Sequence, residues 1–233
     1  MHRILSALFW VIGFSVAQGQ HSEFSVQASS GLFSFRGSGA VSQTGIPLMG
    51  PGVMNPYGRH SGSSYGLTGQ WQYVDRSGLI LGAQAGYESL TSRLAVNGVI
   101  GDFSSYPADG NAWLKNQYVL LQPFAGKRFG TAQSSLDVTV GVDLAYGLAS
   151  RGTISLTATN QYPSSILAPV SYNMPTVDVR PRVNLTGYYR SFGLSAGYSL
   201  GVLSYTPSSR SDATQVYSQY WRAGLSYRFG RRR

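Results

Sequence analysis

The sequence predicts an all-β fold, an eight-stranded antiparallel transmembrane β-barrel with short periplasmic turns and long extracellular loops. Three observations predict it. Stretches with a strict two-residue alternation of apolar and polar residues recur along the chain. The connections between them are alternately short and long. Aromatic residues gather towards both ends of the strands, as at two membrane interfaces.

The clearest alternation runs from Leu136 to Leu148. Leu136, Val138, Val140, Val142, Leu144, Tyr146 and Leu148 share one face, and Asp137, Thr139, Gly141, Asp143, Ala145 and Gly147 the other. Such a strand has one wet and one apolar face, and it is long enough to cross a bilayer at a tilt.

Taken in chain order, the first strand spans Glu23 to Phe35 through Phe24, Val26 and Ala28. Gly62 to Asp75 presents Tyr65, Leu67, Trp71 and Tyr73 on one face and Ser64, Thr68, Gln70 and Gln72 on the other. Asp75 to Gly78 is a turn. Leu79, Leu81, Ala83, Ala85 and Tyr87 then face lipid, with Gln84 and Glu88 inward. The next hairpin joins Trp113–Phe129 to Ser134–Leu148. Its first strand is irregular, because Leu120-Leu121 breaks the alternation and Pro123 cannot donate to a ladder. A bulge near Gln122 is expected there. The third hairpin joins Val177–Tyr189 to Phe192–Leu203, whose inner face holds only Gly193, Ser195, Gly197, Ser199 and Gly201. Tyr217 to Phe229 closes the ring.

Short links at 75–78, 130–133 and 190–191 alternate with long ones at 36–62, 90–112, 149–176 and 204–216, which places all long loops at one end. Tyr65, Tyr87, Tyr118, Tyr146 and Tyr217 form one expected aromatic belt; Trp71, Tyr73, Tyr189, Phe192, Tyr227 and Phe229 form the other.

Composition bounds the class. His2 and Arg3, the apolar run Ile4–Val16 and the small residues around Ala17-Gln18-Gly19 read as a secretory signal peptide over residues 1–19, leaving 20–233 as one barrel domain. There is no cysteine, so neither a lipoprotein anchor nor disulfides hold the chain. Mean hydropathy is -0.08, as a polar lumen would give. The net charge of +9 could suggest nucleic acid, but export argues against that partner; anionic lipid or glycan is the expected counter-charge.

The chain resembles the outer-membrane β-barrels of Bacteroidetes-type bacteria, small porin-like proteins. The resemblance lies in N55-P-Y-G-R-H-S-G-S-S-Y-G-L, S77-G-L-I-L-G-A-Q-A-G-Y-E-S-L and the closing L225-S-Y-R-F229. It implies an outer-membrane location and delivery by the outer-membrane assembly machinery, which reads a terminal aromatic in the place of Phe229. It carries no catalytic residues.

Inward ionisable residues are expected to be Glu88, Asp137, Asp143, Asp178, Arg180, Arg182, Arg222 and Arg228, with Lys127 a further candidate. A narrow lumen makes opposite charges pair. Asp143 and Arg182 are expected at one depth and bonded to each other, with the arginines leaning over the glycine-serine strip. A catalytic arrangement would have to use His60 with Ser61 or Ser63; an exposed loop histidine is the plainer reading. Metal-ligand spacing is absent, and the loop carboxylates Asp102 and Asp109 are isolated. No cofactor or metal is expected.

The function expected is a non-enzymatic, monomeric outer-membrane barrel with a structural or surface-binding role, in contact with lipid and lipopolysaccharide. Alternatives are a narrow passive pore, a membrane-embedded enzyme acting on lipid, and a soluble lipocalin-like binder with the two faces exchanged.

Overall fold

The computed structural model describes residues 21–47, 52–100, 105–131, 133–157, 165–172, 175–206 and 214–229. The expected signal peptide lies outside them. Ten strands are present: β1 (His21–Arg36), β2 (Gln43–Pro47), β3 (His60–Val74), β4 (Leu79–Ile100), β5 (Ser105–Gly130), β6 (Ser134–Thr157), β7 (Ser165–Ser171), β8 (Val177–Tyr189), β9 (Phe192–Leu200) and β10 (Tyr217–Phe229).

Antiparallel pairings run β1–β3–β4–β5–β6–β8–β9–β10 and from β10 back to β1. Stepping across the ladder from Glu23 passes Gln72, Gly82, Phe124, Gly141, Arg182, Ser199 and Tyr220. It returns to β1 at Phe33, ten residues further on. This stagger tilts the strands by roughly 40° to the axis. The two strands not expected from the sequence lie outside this cycle: β2 pairs parallel with β4, and β7 pairs with the far part of β6.

The three short links have the backbone they need. Gly78 and Gly130 take φ of +82° and +106°, and Arg190 takes +54° in the two-residue link to β9. The long connections differ from expectation. Most of 90–112 is strand, because β4 continues to Ile100 and β5 begins at Ser105. Likewise β6 runs on to Thr157. In contrast β9 stops at Leu200 rather than Leu203.

The extension has a physical reason. From Leu81 to Glu88, β4 carries its apolar residues outward and its polar ones inward, after a single inward apolar residue, Ile80, at its start. From Leu90 the polarity reverses: Leu90, Leu94 and Val96 are buried, and Arg93 and Asn97 are exposed. On β5, Leu114 and Ala112 point in, and Lys115 and Asn111 point out. The strand goes on while its surroundings change from lipid-like outside to water-like outside.

No bulge lies at Gln122. Residues Leu120 to Phe124 alternate without a break, with Leu120, Gln122 and Phe124 inward, and the β5–β6 register is the same on both sides of Pro123. The register shifts instead between Gln117 and Tyr118, where Leu148 of β6 is the extra residue. The shift reverses which residues of β6 face inward beyond Leu148.

Inside the far end, Phe33, Phe35, Leu90, Leu114, Tyr118, Leu120, Tyr205, Val216 and Tyr220 form an apolar layer, with Tyr57 against it. Tyr118, expected in the outer aromatic belt, therefore lies in the interior. Beyond it a second core of Ile46, Val53, Leu94, Val96, Val99, Ala108, Ala112, Ile154 and Leu156 fills the extension, with Tyr172 packed on it. The phenol of Tyr172 accepts a hydrogen bond from the Val53 amide at 2.8 Å.

Candidate functional site

The interior of the strand cycle is polar, and two ion clusters dominate it. The one near the short turns joins Glu23 and Asp137 to Arg128 and Arg228. Arg128 donates to both Glu23 oxygens at 2.9 and 2.8 Å and to both Asp137 oxygens at 2.7 Å. Arg228 donates to Glu23 at 3.1 Å, and its guanidinium lies 3.6 Å from the Tyr188 ring centroid. Gln72 donates to Glu23 at 2.7 Å.

The second cluster joins Glu88, Asp143 and Asp178 to Arg180, Arg182 and Arg222. Glu88 accepts from Arg180 at 2.8 Å and from Arg222 at 2.6 Å. Arg222 also donates to Asp143 at 2.9 Å and to Ser199 at 3.1 Å. Asp178 accepts from the Tyr205 and Ser218 hydroxyls at 2.7 and 2.8 Å, and the Tyr205 hydroxyl also bonds that of Tyr118 at 2.7 Å. Arg180 and Asp143 are completely inaccessible to solvent. Each cluster is formally neutral, as enclosed charges must be.

An amide layer separates the clusters. Arg182 reaches down into it and donates to Gln122 at 2.9 Å, Gln84 at 3.2 Å and Asn184 at 3.3 Å. Gln84 donates to Thr68 and Gln27, and Gln27 to Ser195 at 2.6 Å.

All eight residues expected to point inward are buried there. The expected Asp143–Arg182 hydrogen bond is not the one formed. The register pairs Asp143 with Arg180 and places Arg182 two residues nearer the turns, opposite Gly141. Asp143 and Arg182 stay at 3.6 Å, while Arg222 takes the close contact. Lys127 faces outward; its neighbour Arg128 points in. Glu23 and Arg128 were not expected in the network. Phe129 carried the usable signal, since an outward aromatic there turns Arg128 inward. Tyr205, in the connection after β9, had no periodic signal at all.

The glycine-serine strip of β9 has a steric basis. A Cβ on Gly197 would come within 2.5 Å of Asn184 Oδ1 and 3.3 Å of Arg222 Cγ; one on Gly193 would meet Ser226 and the Tyr188 ring. The small residues make room for Arg222 and Tyr188.

The outer surface is the opposite of the interior. Val26, Leu67, Leu81, Leu121, Val140, Leu144, Val183, Leu185, Leu194 and Leu225 are all exposed. Along β6 the exposed apolar residues run from Leu136 to Leu148. At about 3.3 Å per residue and a tilt near 40°, that is roughly 30 Å, a hydrocarbon core's thickness. Trp71, Tyr189, Phe192, Tyr227 and Phe229 lie exposed at the turn end, and Tyr65 and Tyr146 at the other. This is the polarity of a membrane β-barrel. It opposes the soluble lipocalin-like alternative, in which Asp143, Arg180 and Arg182 would face water.

No protein-family model and no curated protein matches the chain. Among solved structures, Neisserial surface protein A is 13% identical, with 89% of this chain and 98% of that one covered at a TM-score of 0.38. The N-terminal β-barrel domain of Pseudomonas aeruginosa OprF is 14% identical, covering 90% and 100%, with a TM-score of 0.33. The attachment invasion locus protein Ail of Yersinia pestis is 13% identical, covering 91% and 100%, with a TM-score of 0.32. These values are too low to assign a relationship or a role. They give no support to a specific tie to Bacteroidetes-type barrels. No helix among the described residues is long and apolar enough to cross a membrane, and no group of His, Cys, Asp or Glu among them could hold a metal.

Proposed function

We propose that the chain is an eight-stranded transmembrane barrel of a bacterial outer membrane, with β2 and β7 as additions outside the ring. Its role is non-enzymatic: a closed scaffold that holds a rigid platform above the membrane for surface binding. The observation that carries this reading is the inverted polarity, with charged residues completely enclosed and a belt of exposed Leu, Val and aromatic side chains around them. The short turns then face the periplasm. The terminal strand ends in Phe229, which suits delivery by the outer-membrane assembly machinery into a lipopolysaccharide-containing leaflet.

The lumen is a plug. Eight strands enclose only enough space for their own side chains. Here that space holds two neutral ion clusters, the amide layer between them and the apolar layer around Tyr118, Tyr205 and Tyr220 above. The platform is formed by the far parts of β4, β5 and β6 with β2 and β7, and its own core makes it a folded surface.

Planar-bilayer recording of the refolded protein tests the closed-scaffold reading. At most small, infrequent conductance is expected. Steady large channels from the monomer would overturn it and favour the passive pore.

A further inference from the structure

The net charge of the described chain lies entirely on its outer surface. Five carboxylates, Glu23, Glu88, Asp137, Asp143 and Asp178, face the interior and meet five arginines there: Arg128, Arg180, Arg182, Arg222 and Arg228. The remaining described carboxylates are remote from one another. Asp75 is in the turn before β4, and Asp109 is near the tip of the extension, opposite Thr157. The outward cations therefore have no described carboxylate at the level where the outer face turns from apolar to polar.

Three of those cations meet there. Along β6, exposed Leu144, Tyr146 and Leu148 give way to Arg151; along β5, Leu121 and Val119 give way to Lys115; along β4, Tyr87 gives way to Arg93. Lys115 and Arg151 are direct partners across the ladder, on the same outward face. Arg93 is paired with Trp113, so it is the diagonal neighbour of Lys115. Direct partners lie about 5 Å apart at Cβ and diagonal ones about 7–8 Å, and opposed like charges are destabilising on their own. Lys115 Nζ also lies 5.5 Å from the Tyr65 ring centroid and 3.4 Å from its hydroxyl. The phenol adds a donor at the upper edge of the apolar belt.

The geometry points to a binding site for the phosphate groups of a membrane lipid in the outer leaflet, formed by Arg93, Lys115 and Arg151 with Tyr65. Cations from three adjacent strands are held just above the hydrocarbon level, where lipid phosphates lie. An anion bridging Lys115 and Arg151 relieves their repulsion and makes charge-assisted bonds to both. The acyl chains of the same lipid run down the exposed faces of Tyr65, Leu67, Val119 and Leu121. This inference rests on the transmembrane reading above.

The test uses the protein refolded in dodecyl maltoside micelles, with folding checked first by β circular dichroism and heat-modifiable migration. Diphosphorylated lipid A in mixed micelles is the probe, and bound lipid is counted by native mass spectrometry. The expected result is a salt-sensitive affinity weakened about tenfold or more in Lys115→Gln/Arg151→Gln. The charge-matched control Lys127→Gln/Arg190→Gln, at the turn end, binds as the parent does. Lipid A with its phosphates removed binds the parent as weakly as the site variant binds the intact lipid. A folded site variant with parental affinity, or equal binding of the dephosphorylated lipid, overturns the site. Displacement by inorganic pyrophosphate at the concentration where lipid A saturates shows a free-phosphate site and overturns the lipid assignment. Failure of the parent to fold in micelles overturns the transmembrane reading itself.

Discussion

Asp143 is the sharpest place to perturb the interior. It is fully enclosed and has three arginines around it: Arg222 at 2.9 Å, Arg182 at 3.6 Å and Arg180 at 3.7 Å. Only Arg222 makes a hydrogen bond to it. At an effective dielectric constant of about 20, the gross attraction is about 6 kcal/mol at the shorter distance and about 5 kcal/mol at the longer one. The charge-assisted hydrogen bond adds about 1.5–3 kcal/mol to the Arg222 contact alone. After desolvation and rearrangement, a double-mutant cycle of Asp143→Asn with Arg222→Gln should give a coupling of about 2–4 kcal/mol. The cycle with Arg182→Gln should give a value at least about 1 kcal/mol smaller. Arg182 retains Gln84, Gln122 and Asn184 when Asp143 is neutralised, which further weakens its dependence on that carboxylate. The assay is reversible urea unfolding of protein refolded in detergent. Equal couplings, or a larger one for Arg182, would refute the assignment of Arg222 as the partner.

Other perturbations report on separate parts of the structure. Val140 is 56% exposed on the apolar belt, and Val140→Arg should cost about 2–4 kcal/mol in a lipid bilayer, measured by urea unfolding in vesicles. Two glycines should behave oppositely: Gly197→Ala should cost about 1–3 kcal/mol by crowding Asn184 and Arg222, whereas Gly69→Ala meets nothing within 4 Å and should be neutral or stabilising by up to about 1 kcal/mol. Tyr205→Phe removes one donor from enclosed Asp178 and the link to Tyr118, and should lower stability by about 1–3 kcal/mol while leaving the heat-modifiable migration in place.

The membrane-level part of the fold was legible because one period and one phase govern it. Leu136–Leu148 alternates apolar-out and polar-in, and the residues named from that phase, from Glu88 to Arg228, all point inward. The extension was not legible, because its phase is inverted. Leu90, Leu94 and Val96 are apolar on the inner face, so a reading tuned to apolar-out strands sees a loop where β4 continues. On β6 the extra residue at Leu148 turns the even positions from outward to inward, so Ile154 and Leu156 keep the even-numbered apolar places of Leu136–Leu148 but face the core, a change of side that the sequence pattern does not display.

Within the interior, the set of charges was readable but their pairing was not. Pairing depends on stagger. Counting residues from strand ends put Asp143 level with Arg182, whereas the ladder sets Asp143 opposite Arg180, and a stagger of ten residues round the cycle brings Arg222 alongside. Leu120-Leu121 suggested a bulge because both are apolar. In fact Leu120 belongs to the apolar layer inside and Leu121 to the belt outside. Further along the strand, Lys127 shares the outward side of Phe129, and Arg128 between them points in.

In the proposed transmembrane barrel the face carrying Leu136, Val138, Val140, Val142, Leu144, Tyr146 and Leu148 meets lipid, and the face carrying Asp137 to Gly147 is enclosed. The chain has no cysteine, so single cysteines can be introduced at each position from 136 to 148 and spin-labelled without background. Collision rates with oxygen, which concentrates in hydrocarbon, and with a water-soluble nickel complex are then measured in reconstituted bilayers. A two-residue period is expected, with oxygen accessibility high at the even positions and low at the odd ones, and the nickel complex excluded from the even positions at mid-strand. High nickel accessibility at Val140 and Val142, or no alternation in oxygen accessibility, would contradict it.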